Sequence, residues 1–133
     1  MTQTQQHPDA AGIPGKRILL VDDDQAILDS MRETLSARGY EVLVGRDGEQ
    51  GMKLARETRP DLVVLDMMMP RRSGYSVLER IRRDEALPPR VIMITANESI
   101  RHRQYAERLG VNDYLRKPFS MDRLLERIEA QLS

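Results

Sequence analysis

Four places in the chain set carboxylate, hydroxyl or amine side chains against the end of an apolar run. Asp22-Asp23-Asp24 follows Ile18-Leu-Leu-Val21, Asp66 closes Asp61-Leu-Val-Val-Leu-Asp66, Thr95 follows Val91-Ile-Met-Ile94, and Lys117-Pro118 comes shortly after Asp113-Tyr-Leu115. Carboxylates gathered at one point repel each other and stay ionised together when a hard, oxygen-seeking cation binds them, Mg²⁺ foremost. A threonine hydroxyl and a lysine ammonium suit the oxygens of a phosphoryl group. The carboxylate left over can attack phosphorus and become an acyl phosphate. Each piece alone has an ordinary explanation. The aspartate run suits a helix N-terminus, Asp66 a turn cap, Thr95 a strand end, Lys117 a solvated surface and Pro118 a helix start. Only their convergence would make a site.

Convergence requires elements that bring the four places to one edge. The runs Ile18–Val21, Val42–Val44, Leu62–Leu65 and Val91–Ile94 are short and continuously apolar, as strands covered on both faces are, and Asp113–Leu115 is a shorter fifth. Between them, Ile27, Met31 and Leu35 recur at helical spacing, as do Met121, Leu124, Leu125, Ile128 and Leu132. Gly39 and Gly110 stand where helices would stop. The pattern predicts an α/β domain of five βα units, a doubly wound parallel sheet that binds ligands beyond the carboxyl ends of its strands. Glu98–Leu109 offers only Ile100, Ala106, Leu109 and Tyr105 as a buried stripe, with Arg101, His102 and Arg103 opposite. It is expected to be the helix that opens most readily.

A chain of 133 residues is one ordinary domain. Residues Met1–Gly15 have the composition of a mobile tail, leaving 16–133 as the folded unit. Lysine plus arginine (21) balances aspartate plus glutamate (21), so no global field draws the chain to nucleic acid or an anionic membrane. No cysteine is present, and no apolar run reaches spanning length, which suits a cytoplasmic protein. His7 and His102 lack ligand-spaced companions, and Met67-Met68-Met69 reads as gap-filling at a strand end.

Taken in order, Val21-Asp-Asp, Leu65-Asp-Met-Met-Met-Pro70, Ile94-Thr-Ala96 and Tyr114-Leu-Arg-Lys-Pro-Phe119 closely resemble the receiver domains of two-component response regulators, over Lys16 to Ser133. The resemblance implies a flavodoxin-like sheet of order 2-1-3-4-5. It implies that Asp66 takes a phosphoryl group from a phosphohistidine on a sensor histidine kinase or histidine phosphotransfer protein. Asp23 and Asp66 would ligate Mg²⁺ directly, Asp22 through water, and the Met68 backbone carbonyl would complete the protein's share. Thr95 and Lys117 would hold the phosphoryl oxygens, and Lys117-Pro118 would be cis. On phosphorylation Thr95 would move inward and Tyr114 fill the space it leaves, changing how the face of fourth helix, fifth strand and fifth helix binds a downstream protein. A phosphorylation-dependent dimer is compatible with that scheme, whereas direct nucleic-acid or membrane binding is not expected.

Two departures from the family pattern stand out. Pro70 leads into Arg71-Arg72-Ser73-Gly74, placing extra positive charge near the site mouth. Met68 and Asn97 occupy positions that tune phosphoryl lifetime, and an apolar Met68 cannot orient a hydrolytic water, which favours a longer-lived phosphoryl group. An aspartate-nucleophile phosphatase is the enzymatic alternative, but it needs a second acid where Met68 stands. A mononucleotide or flavin binder would need a glycine-rich phosphate loop, which is absent. A degenerate receiver would lack some of the five key residues. The expectation is therefore a stand-alone signalling phosphoacceptor that catalyses only its own phosphorylation and dephosphorylation.

Overall fold

The computed structural model describes residues 15–69, 73–83, 89–96 and 100–133. Strands and helices alternate throughout: β1 (Arg17–Val21), α1 (Gln25–Ala37), β2 (Glu41–Gly45), α2 (Gly48–Thr58), β3 (Leu62–Asp66), α3 (Gly74–Arg83), β4 (Arg90–Thr95), α4 (Ile100–Arg108), β5 (Asp113–Arg116) and α5 (Met121–Leu132). The five strands are all parallel, in the order β2-β1-β3-β4-β5. That is the expected order, and its direction reverses between β1 and β3.

Because successive strand residues face opposite ways, the apolar runs feed two cores at once. Ile18, Leu20, Leu62, Val64, Ile92 and Ile94 pack with Leu28, Met31 and Leu35 of α1 and with Leu124, Leu125 and Ile128 of α5. Leu19, Val21, Val63, Leu65, Val91 and Met93 pack on the other side with Val77, Leu78 and Ile81 of α3. In α1 the fully buried stripe runs through Leu28 rather than the expected Ile27, which is only partly buried. Gly39 and Gly110 take positive φ just past α1 and α4, as their positions predicted.

One correction concerns α4. Tyr105, expected within its buried stripe, is 44 % exposed because it lies against another ring rather than the core. The helix is also described only from Ile100, so Glu98 falls outside the described residues. Most of the expected tail, Pro70-Arg71-Arg72 and Asn97 lie outside them too.

Arg82, which the sequence did not flag, ties the end of α3 to the turn after α4. Its guanidinium donates to the carbonyls of Gly110 (2.8 and 3.0 Å) and Pro89 (2.8 Å) and to Asn112 Oδ1 (2.8 Å). Among the described residues no helix is long and apolar enough to cross a membrane.

Candidate functional site

Strand register decides what meets at the carboxyl edge. Val21 is level with Leu65, Asp66 with Ile94, and Thr95 with Arg116, so the residues that follow each strand emerge side by side. Backbone bonds continue the ladder past the strands: Asp22 N donates to Gly45 O (3.1 Å), Met67 N to Ile94 O (3.0 Å) and Lys117 N to Thr95 O (2.8 Å). The site residues are therefore extensions of the sheet, held as rigidly as the strands.

Asp22, Asp66 and Thr95 are the buried polar side chains among the described residues. Asp22, Asp23 and Asp66 each offer an oxygen within 4.8 Å of the others, with Asp23 at the exposed rim. Lys117 is no solvated surface lysine. Its Nζ lies 3.3 Å from Asp22 Oδ2 and 3.6 Å from Asp66 Oδ2. Asp24 fulfils the ordinary reading of the aspartate run instead, capping α1 by accepting from Ala26 N (3.0 Å) and Ile27 N (3.3 Å). Asp22 and Asp23 are thereby left for other work. Pro118 does not start α5, whose cap is Ser120; the Lys117-Pro118 bond is cis, as the resemblance implied.

Three carboxylates face one ammonium, an excess of negative charge in a poorly hydrated place. Burial, and then the neighbouring Asp22 carboxylate, push the Asp66 carboxyl up to about 7, against the opposing pull of Lys117. Asp22 Oδ2 is buried and accepts no hydrogen bond, while Oδ1 accepts from Asp24 N (2.9 Å). An all-oxygen donor set, in which the buried Asp22 Oδ2 has the Lys117 ammonium 3.3 Å away but no hydrogen bond, fits a hard divalent cation.

Thr95 and Tyr114 are hydrogen-bonded through their side chains, and Tyr114 packs at the margin of the second core. Met68, two residues past Asp66, is 69 % exposed at the rim; its amide makes a long 3.4 Å contact to Asp66 Oδ1. Position 68 therefore offers no second acid.

Two contributors escaped the sequence. Gly74 brings the start of α3 against the site: a Cβ there would lie 2.3 Å from the Asp66 carbonyl oxygen, and Gly74 N donates to Met67 O (3.0 Å). Its position eight residues past Asp66 was visible, but not the approach that demands glycine. The next residue, Tyr75, reaches α4. Its ring stacks on His102 (centroids 6.1 Å) and tilts against Tyr105 (5.0 Å). His102, read as part of a solvated face, is thus a ring partner.

The family model of the response regulator receiver domain matches residues 18–129. Among curated proteins, the response regulator MprA of Mycolicibacterium vanbaalenii is 43 % identical over 117 residues, 87 % of this chain and 50 % of that protein. The chain spans about half the length of the curated relatives it matches. A CheY-like receiver domain protein from Methanospirillum hungatei superposes with a TM-score of 0.84 at 32 % identity, covering 88 % of this chain and 93 % of that one. A DNA-binding response regulator of the LuxR family from Staphylococcus aureus gives 0.82 at 28 %, covering 89 % and 99 %. The expectation of no nucleic-acid partner draws no support from such relatives. With strand order, carboxyl-edge cluster and family match in agreement, this chain belongs to the response regulator receiver domains.

Proposed function

We propose that residues 16–133 act as one cytoplasmic receiver domain in which Asp66 accepts a phosphoryl group from a phosphohistidine on a sensor histidine kinase or histidine phosphotransfer protein. The observation that carries this reading is the placement of Lys117 Nζ between Asp22 and Asp66, 3.3 and 3.6 Å from their carboxylates. A carboxylate so placed is at once a nucleophile and part of a cation site.

Asp23 and Asp66 would hold Mg²⁺ directly, Asp22 through water, and the Met68 carbonyl would complete the protein's share. When bound, the cation supplies neutralising charge for the phosphoryl oxygens. An Asp66 carboxylate oxygen forms the new P–O bond as the donor's P–N bond breaks, and that electron pair stays on the departing imidazole. Lys117 holds one phosphoryl oxygen by charge. Thr95 turns its hydroxyl to another, giving up its bond to Tyr114. Tyr114 then repacks, and the surface of α4, β5 and α5 changes its affinity for a downstream protein, as a partner or as a second copy in a phosphorylation-dependent dimer. Exposed Met68 orients no hydrolytic water, which favours a persistent phosphoryl group.

Incubation with a small acyl phosphate and Mg²⁺, followed by intact-mass measurement, is expected to show a single base-labile phosphoryl addition that Asp66→Asn abolishes. An unmodified wild-type chain, an addition that survives Asp66→Asn, or catalytic phosphate release from esters would each refute the assignment.

A further inference from the structure

Gap-filling at a strand end describes two of the three residues in Met67-Met68-Met69. Met67 is buried in the second core, and Met69 packs partly against it. Met68 does neither: its side chain is 69 % exposed, an apolar group held out in water. Met31, Met52 and Met93 are buried as well, and Met121 is half-covered by the first core. Met68 is therefore the one methionine open to solvent among the described residues.

Its place gives that exposure a consequence. Met68 lies two residues past Asp66, and its own amide is 3.4 Å from Asp66 Oδ1. A long, unbranched, polarizable side chain is thus rooted at the mouth of the carboxylate cluster. The chain has no cysteine, so no thiol competes for an oxidant, and thioethers are its only side-chain sulfur. A thioether must be reached before it can react, and burial shields the others.

We propose that Met68 is a site of reversible oxidation by peroxide, and that its sulfoxide shortens the life of a phosphoryl group on Asp66. A sulfur lone pair takes one peroxide oxygen as the O–O bond breaks; the other oxygen leaves as hydroxide and is protonated to water. Sulfur is oxidised and the peroxide reduced. A dithiol reverses the step, becoming a disulfide as the sulfoxide oxygen leaves in water. Oxidation turns an apolar side chain into one with a strong hydrogen-bond acceptor, at a position that as a thioether orients no water. The sulfoxide oxygen accepts a hydrogen bond from a water beside the phosphoryl group. That water's oxygen attacks phosphorus, and the bond from phosphorus to the Asp66 oxygen breaks with its electron pair returning to the carboxylate. One proton stays on the phosphate and one passes to solvent. The effect on lifetime rests on the phosphoacceptor reading above; the site of oxidation does not.

Brief treatment of the full chain with hydrogen peroxide, followed by peptide mapping by mass spectrometry, is expected to find an added oxygen on Met68 before any on Met31, Met52, Met67 or Met93. Equal or earlier oxidation of those buried methionines overturns the site. Treated and untreated protein are then phosphorylated with a small acyl phosphate and Mg²⁺, freed of donor and followed by intact mass. Oxidation is expected to speed loss of the phosphoryl group about three- to tenfold, the worth of one hydrogen bond to the attacking water. Met68→Leu, which keeps every other methionine, is expected to lose its phosphoryl group at its own rate whether or not peroxide was applied. Methionine sulfoxide reductases with a dithiol are expected to return oxidised wild type to its untreated rate. An unchanged lifetime, an equal acceleration in Met68→Leu, or no recovery on reduction overturns the role of the sulfoxide. A chain that takes no phosphoryl group, oxidised or not, refutes the phosphoacceptor reading and the effect on lifetime with it, while the mapping still decides the site of oxidation.

Discussion

α4 and α5 flank the same short strand, β5, but the means by which they are held differ. α5 drives Leu124, Leu125 and Ile128 into the core shared with α1, and Ser120 caps its first turn by accepting from Arg123 N (3.1 Å). Burial of three such side chains is worth about 1.5–3 kcal/mol each. α4 places Ala106 alone fully inside among its described residues, and otherwise holds on through rings at its flank: Tyr75 against His102 and Tyr105, and Arg103 over Tyr114. One helix is anchored by apolar area, the other by replaceable lateral contacts. On the proposed function, a change at Asp66 is reported most readily where one element can shift at small cost beside one that stays put.

Deleting the anchor on each side sharpens that contrast most. Leu124→Ala in α5 is expected to cost about 2–5 kcal/mol in urea unfolding, since it leaves a cavity the rigid sheet cannot close. Ala106→Gly in α4 removes one methyl and some helix propensity, for about 1 kcal/mol. Hydrogen exchange should show the same order in the wild type, with α4 amides exchanging about tenfold or more faster than those in the middle of α5. Equal protection of the two helices would end the distinction.

The carboxylate cluster at the ends of β1 and β3 works against folding in the metal-free protein. Asp66 takes up its proton at about 7 in the folded chain, against an ordinary carboxyl value near 3.8. The folded state therefore binds more protons across that interval, so stability falls as pH rises through it. Asp66→Asn removes both the buried charge and its repulsion by Asp22. Metal-free Asp66→Asn is expected to exceed wild type by about 1–2 kcal/mol at pH 8, after allowance for solvent screening, and the advantage should fade towards pH 4. Saturating Mg²⁺ should narrow the gap at pH 8. A wild-type protein as stable as the variant at every pH would mean that Asp22 and Asp66 do not share an unfavourable field.

The sequence told more about the side anchored by apolar area than about the one held by lateral contacts, for a physical reason. Apolar runs such as Leu62–Leu65 and the α5 stripe are local, periodic signals, and the strand ends they define carried Asp22, Asp66, Thr95 and Lys117 to one edge in the expected order. The triple aspartate was ambiguous, because a cap and a cation ligand use the same carboxylate; only the geometry gave Asp24 to α1 and left Asp22 and Asp23 to the site. On α4 the attachments are long-range and polar or aromatic. Tyr75 meets a partner 27 residues on and Arg82 one 28 residues on, separations with no periodicity to betray them. Tyr105 was misplaced for the same reason: an aromatic residue on a helix suggests core until the ring it touches is known.

The weakest attachments give the finest test. Tyr75→Leu keeps an apolar body at the start of α3 but removes the ring contacts with His102 and Tyr105, for about 0.5–1.5 kcal/mol. The loss should appear as faster exchange in α4 with α5 unchanged; a loss spread equally over both helices would show that α4 is not separately tethered. Tyr75→Phe removes only the long 3.4 Å bond from the phenol to the His102 carbonyl and should be close to neutral. Burial, then the nearby Tyr114 and Tyr105 phenols, push the Tyr75 hydroxyl up to about 12. The folded chain thus holds that proton past the ordinary value near 10, so its contribution is complete below pH 10 and is lost as pH rises from there to about 12. Ultraviolet titration should show a late-ionising phenol in wild type that is missing from Tyr75→Phe, beside that of Tyr114, which burial also raises. The alkaline fall in α4 protection should follow that same titration, because an ionised Tyr75 can no longer lie against its two neighbours, while α5 responds only at global unfolding.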